Sequence, residues 1–221
     1  MIPKTIHYCW FGRKPKPESI VRYMESWKRH LPDYTITEWN EDNFDIDICR
    51  YSREAYEAGD YAHVSDVCRV YVLHKYGGIY LDTDVEVLKP FDSFLNFRSF
   101  AGVEAYNVCT AVVGAEAGCS WLETFLNYYS RQHFINMFGH AVRTPNTDIL
   151  THTILPGIPA DTWPAIFPID FFCGKDYSTG QLYVTANTVS IHHYEASWRK
   201  RRTLPVRVRN IIKGLKTRYL L

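Results

Sequence analysis

The chain has 221 residues, of which 46% are hydrophobic and 22% charged. That length suits one large globular domain and is too short for two full-sized ones, and no apolar run approaches the roughly 18 residues of a membrane span. The net charge of +1 hides an asymmetry: residues 199–221 hold nine Lys and Arg and no acid, which leaves 16 basic and 24 acidic side chains in residues 1–198. We therefore expect a body at 1–198 and a basic tail at 199–221 with a separate task. The acidic body argues against a nucleic-acid partner.

Ile6 to Phe11 is a short apolar, aromatic run that stops at Gly12, which predicts a buried strand. Pro17 and Glu18 open a predicted helix with Ile20, Met24, Trp27 and Leu31 on one face. Tyr34 to Trp39 is the next strand, and a βαβ start favours a parallel sheet. Residues 40–58 read as mixed and polar. A helix from about Asp60 to Tyr76 ends at Gly77-Gly78, and Ile79-Tyr80-Leu81 is a strand that runs into Asp82-Thr83-Asp84. Strands are expected at 99–104 and 110–114, a helix at 121–129, a loop at 139–149, and late strands at 166–172 and 183–193. The six cysteines form no C-x-x-C pair, which argues against a zinc site. Met1 leads directly into a strand rather than a signal peptide, so reduced thiols are expected.

Asp82 and Asp84 carry the most chemistry. Two carboxylates one residue apart at a strand end point the same way. Paired hard oxygens suit Mg²⁺ or Mn²⁺, which takes its other ligands from waters and a substrate diphosphate. A divalent cation there stabilises a diphosphate leaving group. Burying two acids at the end of an apolar strand is costly unless they are paired or bound. On the preceding helix, Asp66 and Arg69 share a face at i, i+3. Haloacid-dehalogenase-type phosphatases also place D-x-D after an apolar strand. That pattern wants Thr or Val two residues after the second Asp, where this chain has Glu86.

The runs Ile2-Pro3-Lys4-x-Ile6-His7-Tyr8-x-Trp10-x-Gly12, Ala62-x-x-Ser65-Asp66-x-x-Arg69, Gly77 to Asp84 and His192-His193-x-x-x-Ser197-Trp198 together resemble glycosyltransferase family 32. These are DXD-containing sugar transferases of capsular and lipopolysaccharide synthesis, related to yeast initiating mannosyltransferases and to the catalytic domains of clostridial glucosylating toxins. The resemblance implies a single α/β domain of GT-A type, with a mixed, mostly parallel sheet flanked by helices. It implies that Trp10 stacks on the nucleotide base and that Asp66 and Arg69 hold the donor sugar. Asp82 and Thr83 would contact the donor, Asp84 would be the main metal ligand, and Ser197 and Trp198 would close over the diphosphate. His193 is a further metal candidate, with Glu195 competing for that place. Asp148 and Glu104 are acids to examine near the sugar or acceptor. The family retains anomeric configuration, which implies an α-linked product from a UDP-linked hexose or N-acetylhexosamine or from GDP-mannose. The acceptor would be a glycan or a lipid-linked oligosaccharide.

The tail carries Leu204, Val208, Ile211, Ile212, Leu215 and Tyr219 at helical spacing, with basic residues beside them. Such a helix can lie on an anionic membrane, which would put the enzyme in the cytoplasm, peripheral on the inner face. Two other readings remain. A sugar nucleotidyltransferase would want a Gly-rich phosphate loop, of which Gly12-Arg13-Lys14 is only a fragment. A catalytically inactive membrane-docking scaffold would not need Asp66, Arg69, Asp82 and Asp84 together.

Overall fold

The computed structural model describes residues 1–177 and 179–195. The elements run in chain order: β1 (Thr5–Cys9), α1 (Glu18–His30), β2 (Thr35–Trp39), α2 (Arg50–Glu57), α3 (Tyr61–Tyr76), β3 (Gly78–Leu81), β4 (Val85–Val87), β5 (Ser99–Glu104), β6 (Asn107–Ala115), α4 (Ser120–Ser130), α5 (Asn146–Ile149), β7 (Ala165–Phe167), α6 (Ile169–Phe172) and β8 (Ser190–His192). The main sheet has the order β2-β1-β3-β6-β5-β7. β6 is antiparallel to both β3 and β5, and the other pairings are parallel. One reversed strand in six makes the sheet mixed and mostly parallel, as expected. β4 and β8 form a separate antiparallel pair beside it.

Both faces of the sheet are covered, so its central strands read as continuous apolar runs. Tyr80 and Val113 face a core built with α2, α3 and α4, where Val67, Trp121 and Phe125 pack. Ile79, Leu81 and Val112 face the opposite core with Trp27, Phe91, Phe100 and Phe172. α3 is buried on several sides, Val64, Asp66, Val67, Cys68, Arg69 and Val72 among its covered residues. A helix enclosed in this way has no wholly polar face, which is why its charged residues must find partners inside the protein.

α3 ends at Gly77, where φ is +66°, and Gly78 follows at +102°. A Cβ at Gly78 would lie 2.7 Å from the Thr5 carbonyl oxygen and 3.0 Å from His7 Nε2. The glycine pair thus lets the chain reverse tightly and lay β3 against β1. β3 then delivers Asp82 to the carboxyl end of the sheet, the edge at which open α/β folds bind ligands.

Several boundaries differ from expectation, each for a local reason. Residues 50–57 form α2, a short helix anchored by Tyr51, Ser52 and Ala55. The expected strand at 166–172 breaks after Phe167, because Pro168 caps a turn of helix instead. The expected strand at 183–193 shrinks to Ser190–His192, because Thr185 and Thr188 close a turn. Residues 146–149 of the expected loop start a short helix that widens into a π-type turn over Leu150–Ile154. The expected amphipathic helix at 199–221, with Ser197 and Trp198, lies outside the described residues.

Candidate functional site

The site grows from the turn between β3 and β4. Asp82 directly follows β3, and its backbone N–H donates to the Ala111 carbonyl at 2.8 Å. Asp84 precedes β4, whose pairing with β8 sets Val85 opposite His192. The Trp27 indole pins the same strand by donating to the Val85 carbonyl at 2.7 Å. The side chains of Asp82 and Asp84 retain 26% and 14% of their surface, so both are mostly covered yet reachable from solvent.

Behind Asp82 lies a buried charge cluster. Arg69 NH2 stands 2.9 Å from Asp66 Oδ1 and 3.2 Å from Asp82 Oδ1, and its NH1 donates to the Thr110 carbonyl at 2.8 Å. The guanidinium also lies 4.6 Å from the Tyr80 ring centre, and the Tyr80 hydroxyl donates to Asp82 Oδ1 at 3.0 Å. Burial opposes the Arg69 charge, but Asp82, Tyr80 and Asp66 outweigh it and hold the group above its usual range. One fork-shaped cation therefore ties the α3 acid to the first acid of the D-x-D. Asn146 extends the network by donating to the Asp66 carbonyl at 3.2 Å.

The two D-x-D acids are tuned in opposite directions. Burial lifts Asp82 above the usual carboxylate range; Arg69 works against this and Asp84 adds to it. Burial also opposes ionisation of Asp84, but His192 and the Glu195 backbone N–H, 2.8 Å from Oδ2, hold it below that range. Asp84 is thus the acid held ready as an anion. One oxygen of each acid and one His192 nitrogen all lie within 4.8 Å of one another. The two carboxylates offer hard oxygens that suit Mn²⁺ or Mg²⁺, while the His192 imidazole supports Asp84.

The imidazole beside the acids is His192, not His193. His192 Nε2 is 3.4 Å from Asp84 Oδ1. His193 turns the other way: its Nε2 meets Glu86 at 2.8 Å, and its ring stacks on Tyr23 at 4.3 Å. Adjacent residues of a strand face opposite sides, so only one could serve. The Glu195 side chain is likewise engaged elsewhere, accepting from the Ser19 and Tyr23 hydroxyls at 2.8 Å each, while its backbone N–H serves Asp84.

Glu104 is close, its Oε2 3.4 Å from His192 Nδ1 on the far side of that ring from Asp84. Asp148 accepts from the Asn107 amide at 2.6 Å, at the turn of the β5–β6 hairpin. Trp10 follows β1 at the same end of the sheet, donates from its indole to the Lys14 carbonyl at 2.6 Å, and has Lys16 Nζ 5.5 Å from its ring centre. Thr83 is half-buried between the two acids. Asp66, Arg69, Asp82, Asp84 and Glu104 therefore form one connected group, whereas Trp10 and Asp148 make their polar contacts outside it. Sequence reasoning missed His192, Tyr80 and Thr110 as members of the group.

The architecture is that of the GT-A fold. It matches the solved PaToxG glycosyltransferase at a TM-score of 0.55 with 17% identity, covering 72% of this chain and 71% of that one. It also matches a glycosyltransferase involved in glycosylation of the major capsid of PBCV-1 at 0.53 with 12% identity, covering 85% and 93%. Residues 17–101 match the family model described as the glycosyltransferase sugar-binding region containing the DXD motif. Asp82-Thr83-Asp84 falls within the matched residues, in keeping with the family 32 resemblance. Among curated relatives, inositol phosphoceramide mannosyltransferase 3 of Schizosaccharomyces pombe is 33% identical over 103 residues, which span 45% of this chain and 29% of that protein.

Proposed function

We propose that the chain is a metal-dependent, retaining glycosyltransferase. It would move a hexose or N-acetylhexosamine from a nucleoside-diphosphate sugar, UDP-linked in the first instance, to a glycan or lipid-linked oligosaccharide of surface polysaccharide synthesis. The observation that supports this reading is the convergence of Asp82 and Asp84 with His192 beside β3, one donor atom of each lying within 4.8 Å of the others. A donor set of this kind has use for a divalent cation, and Asp84 and Asp82 would hold Mn²⁺ or Mg²⁺. When bound, that cation neutralises charge on the departing diphosphate. The protein's own groups do the rest. Arg69 holds Asp66 and Asp82 in fixed orientation, so both can accept donor hydroxyls without reorganising. In this reading Trp10 stacks on the base, and Ser197 and Trp198 close over the diphosphate. The relative named as a mannosyltransferase makes GDP-mannose a donor worth testing beside the UDP-sugars.

The test is to incubate the full chain with Mn²⁺ and a panel of UDP- and GDP-sugars and measure free nucleoside diphosphate. Release that vanishes in Asp84→Asn supports the transferase. Pyrophosphate from nucleoside triphosphate plus sugar phosphate would instead indicate a nucleotidyltransferase. Absence of both turnover and metal-dependent nucleotide binding would indicate a scaffold. We further propose that residues 199–221 dock on the anionic inner face of a membrane, each basic residue contributing about 1 kcal/mol near the surface. Equal liposome flotation with and without residues 203–221 would overturn that part alone.

A further inference from the structure

On the side of His192 away from Asp84 lies a second group of metal-ligating side chains. It consists of Glu104 at the end of β5, Cys109 in β6, Cys173 just after α6, and His192 itself. One donor atom from each lies within 4.8 Å of all the others. Both cysteines are wholly buried, and Cys173 Sγ stands 3.1 Å from Cys109 Sγ. Glu104 Oε2 and His192 Nδ1 are buried atoms without a hydrogen-bond partner, although they lie 3.4 Å apart. Both atoms are closed off from solvent, so bulk water does not complete their coordination. The two stand at ion-pair distance without good hydrogen-bond geometry, so each is only partly satisfied by the other.

We propose that Glu104, Cys109, Cys173 and His192 form a structural site for Zn²⁺ or a similarly thiophilic divalent cation, separate from the D-x-D metal. The donor chemistry differs in kind from that of Asp82 and Asp84: two thiols, an imidazole and one carboxylate prefer a borderline-soft, tetrahedral ion to Mg²⁺. Binding releases the two thiol protons and the proton on His192 Nδ1 to solvent, and the ring then coordinates through Nδ1. The remaining imidazole proton then sits on Nε2, facing Asp84. A metal-bound histidine that donates its other N–H to a carboxylate is held in a fixed tautomer and orientation. The zinc would therefore brace the second acid of the D-x-D from behind. Sulfurs sharing one zinc stand about 3.8 Å apart, so the thiol pair opens by about 0.7 Å on binding, which small side-chain torsions can supply. No C-x-x-C spacing announces the site, because its ligands come from four separate segments.

The experiment uses the full chain, stripped with chelator and titrated with Co²⁺ alone, and needs no transferase activity. The expected result is a thiolate-to-cobalt charge-transfer band in the near ultraviolet that saturates at one equivalent. The band persists in Asp84→Asn and is lost in Cys109→Ser. Zinc X-ray absorption of the reloaded wild type should show two sulfurs at about 2.3 Å. Because this last measurement is made on the wild type, it stands even where a cysteine variant fails to fold. Co²⁺ that binds without a charge-transfer band, or a band that survives Cys109→Ser, would overturn the proposal. So would a denatured, unreduced protein with only four titratable thiols out of six, since that would mean the pair is a disulfide.

Discussion

Replacing Arg69 with Met tests the charge cluster behind the D-x-D. Arg69 is 7% exposed and holds two carboxylates and a carbonyl at once. Met keeps most of the apolar stem but removes the fork, which leaves Asp66 and Asp82 facing each other without a cation. Breaking a buried ion pair from one side costs about 3–5 kcal/mol. The orphaned Thr110 carbonyl falls within that range, since the same lost group accounts for both. For a domain of this size the loss corresponds to a Tm lower by about 6–20 °C. The pH dependence has a definite sign. Asp82 already has a folded value above its unfolded one, so its ionisation in place costs stability as pH rises through the folded value, and that cost is absent below the unfolded value. Without Arg69 the folded value climbs further, and the costly range widens upward. The deficit of Arg69→Met should therefore be greatest at neutral to basic pH and shrink on acidification. Urea unfolding of both proteins across that range measures it. A deficit below about 1 kcal/mol at about pH 8, or one that grows as pH falls, would refute the reasoning. Arg69→Lys should recover only part of the loss, because a point charge cannot reach all three acceptors.

Other expectations are as direct. Trp27→Phe keeps the ring packing but strands the Val85 carbonyl, so it should cost about 1–3 kcal/mol in urea unfolding and weaken Mn²⁺ binding measured by electron paramagnetic resonance. Undiminished metal affinity would show that β4 does not depend on that anchor. Gly114→Ala would drive a Cβ into the fully buried Phe100 ring and should lose about 1–3 kcal/mol or more; a neutral result in a thermal melt would mean the aromatic core can shift. His7 accepts from the Trp39 indole at Nδ1 and so donates from Nε2 to the Gly77 carbonyl. Burial, partly opposed by Gly77, lowers its folded value below the ordinary 6.5. The neutral ring therefore supports the fold fully above that pH, and the support drains away as pH falls toward the folded value. A proton resonance of His7 that titrates at or above 6.5 would contradict this arrangement.

The parts of the fold visible in the sequence were those with long or strongly punctuated patterns. The helix at 61–76 and the strand after it are bounded by Gly77-Gly78, and the first helix by Pro17 and Pro32, so their limits fell within a residue or two. α2 has eight residues with few apolar ones, too short for periodicity to declare itself. β4 has three residues, and its existence depends on a partner more than a hundred residues later in the chain. The choice between His192 and His193 depends on the phase of that pairing. A one-residue slip exchanges the two faces of a strand, and nothing local in His192-His193 sets the phase. Asp66, Arg69, Asp82 and Asp84 were legible because helix and strand geometry alone brings them near one end of α3 and β3. Cys109 and Cys173 were not, because 64 residues separate them and only the sheet order makes them neighbours.

The small β4–β8 pair also fixes an order of assembly. The six-stranded sheet is complete once Phe167 has been made, but β8 begins only at Ser190. Asp84 waits for Glu195, 111 residues downstream, to supply the N–H that meets its Oδ2. A chain emerging from the ribosome can therefore close its main sheet while the second acid of the D-x-D still lacks its neighbours. Contacts across so many residues carry a large closure entropy and form late. A proteolytic product ending before Ser190 would keep its main sheet and lose its hold on Asp84, so the integrity of the D-x-D turn reports whether the chain has been made through Glu195.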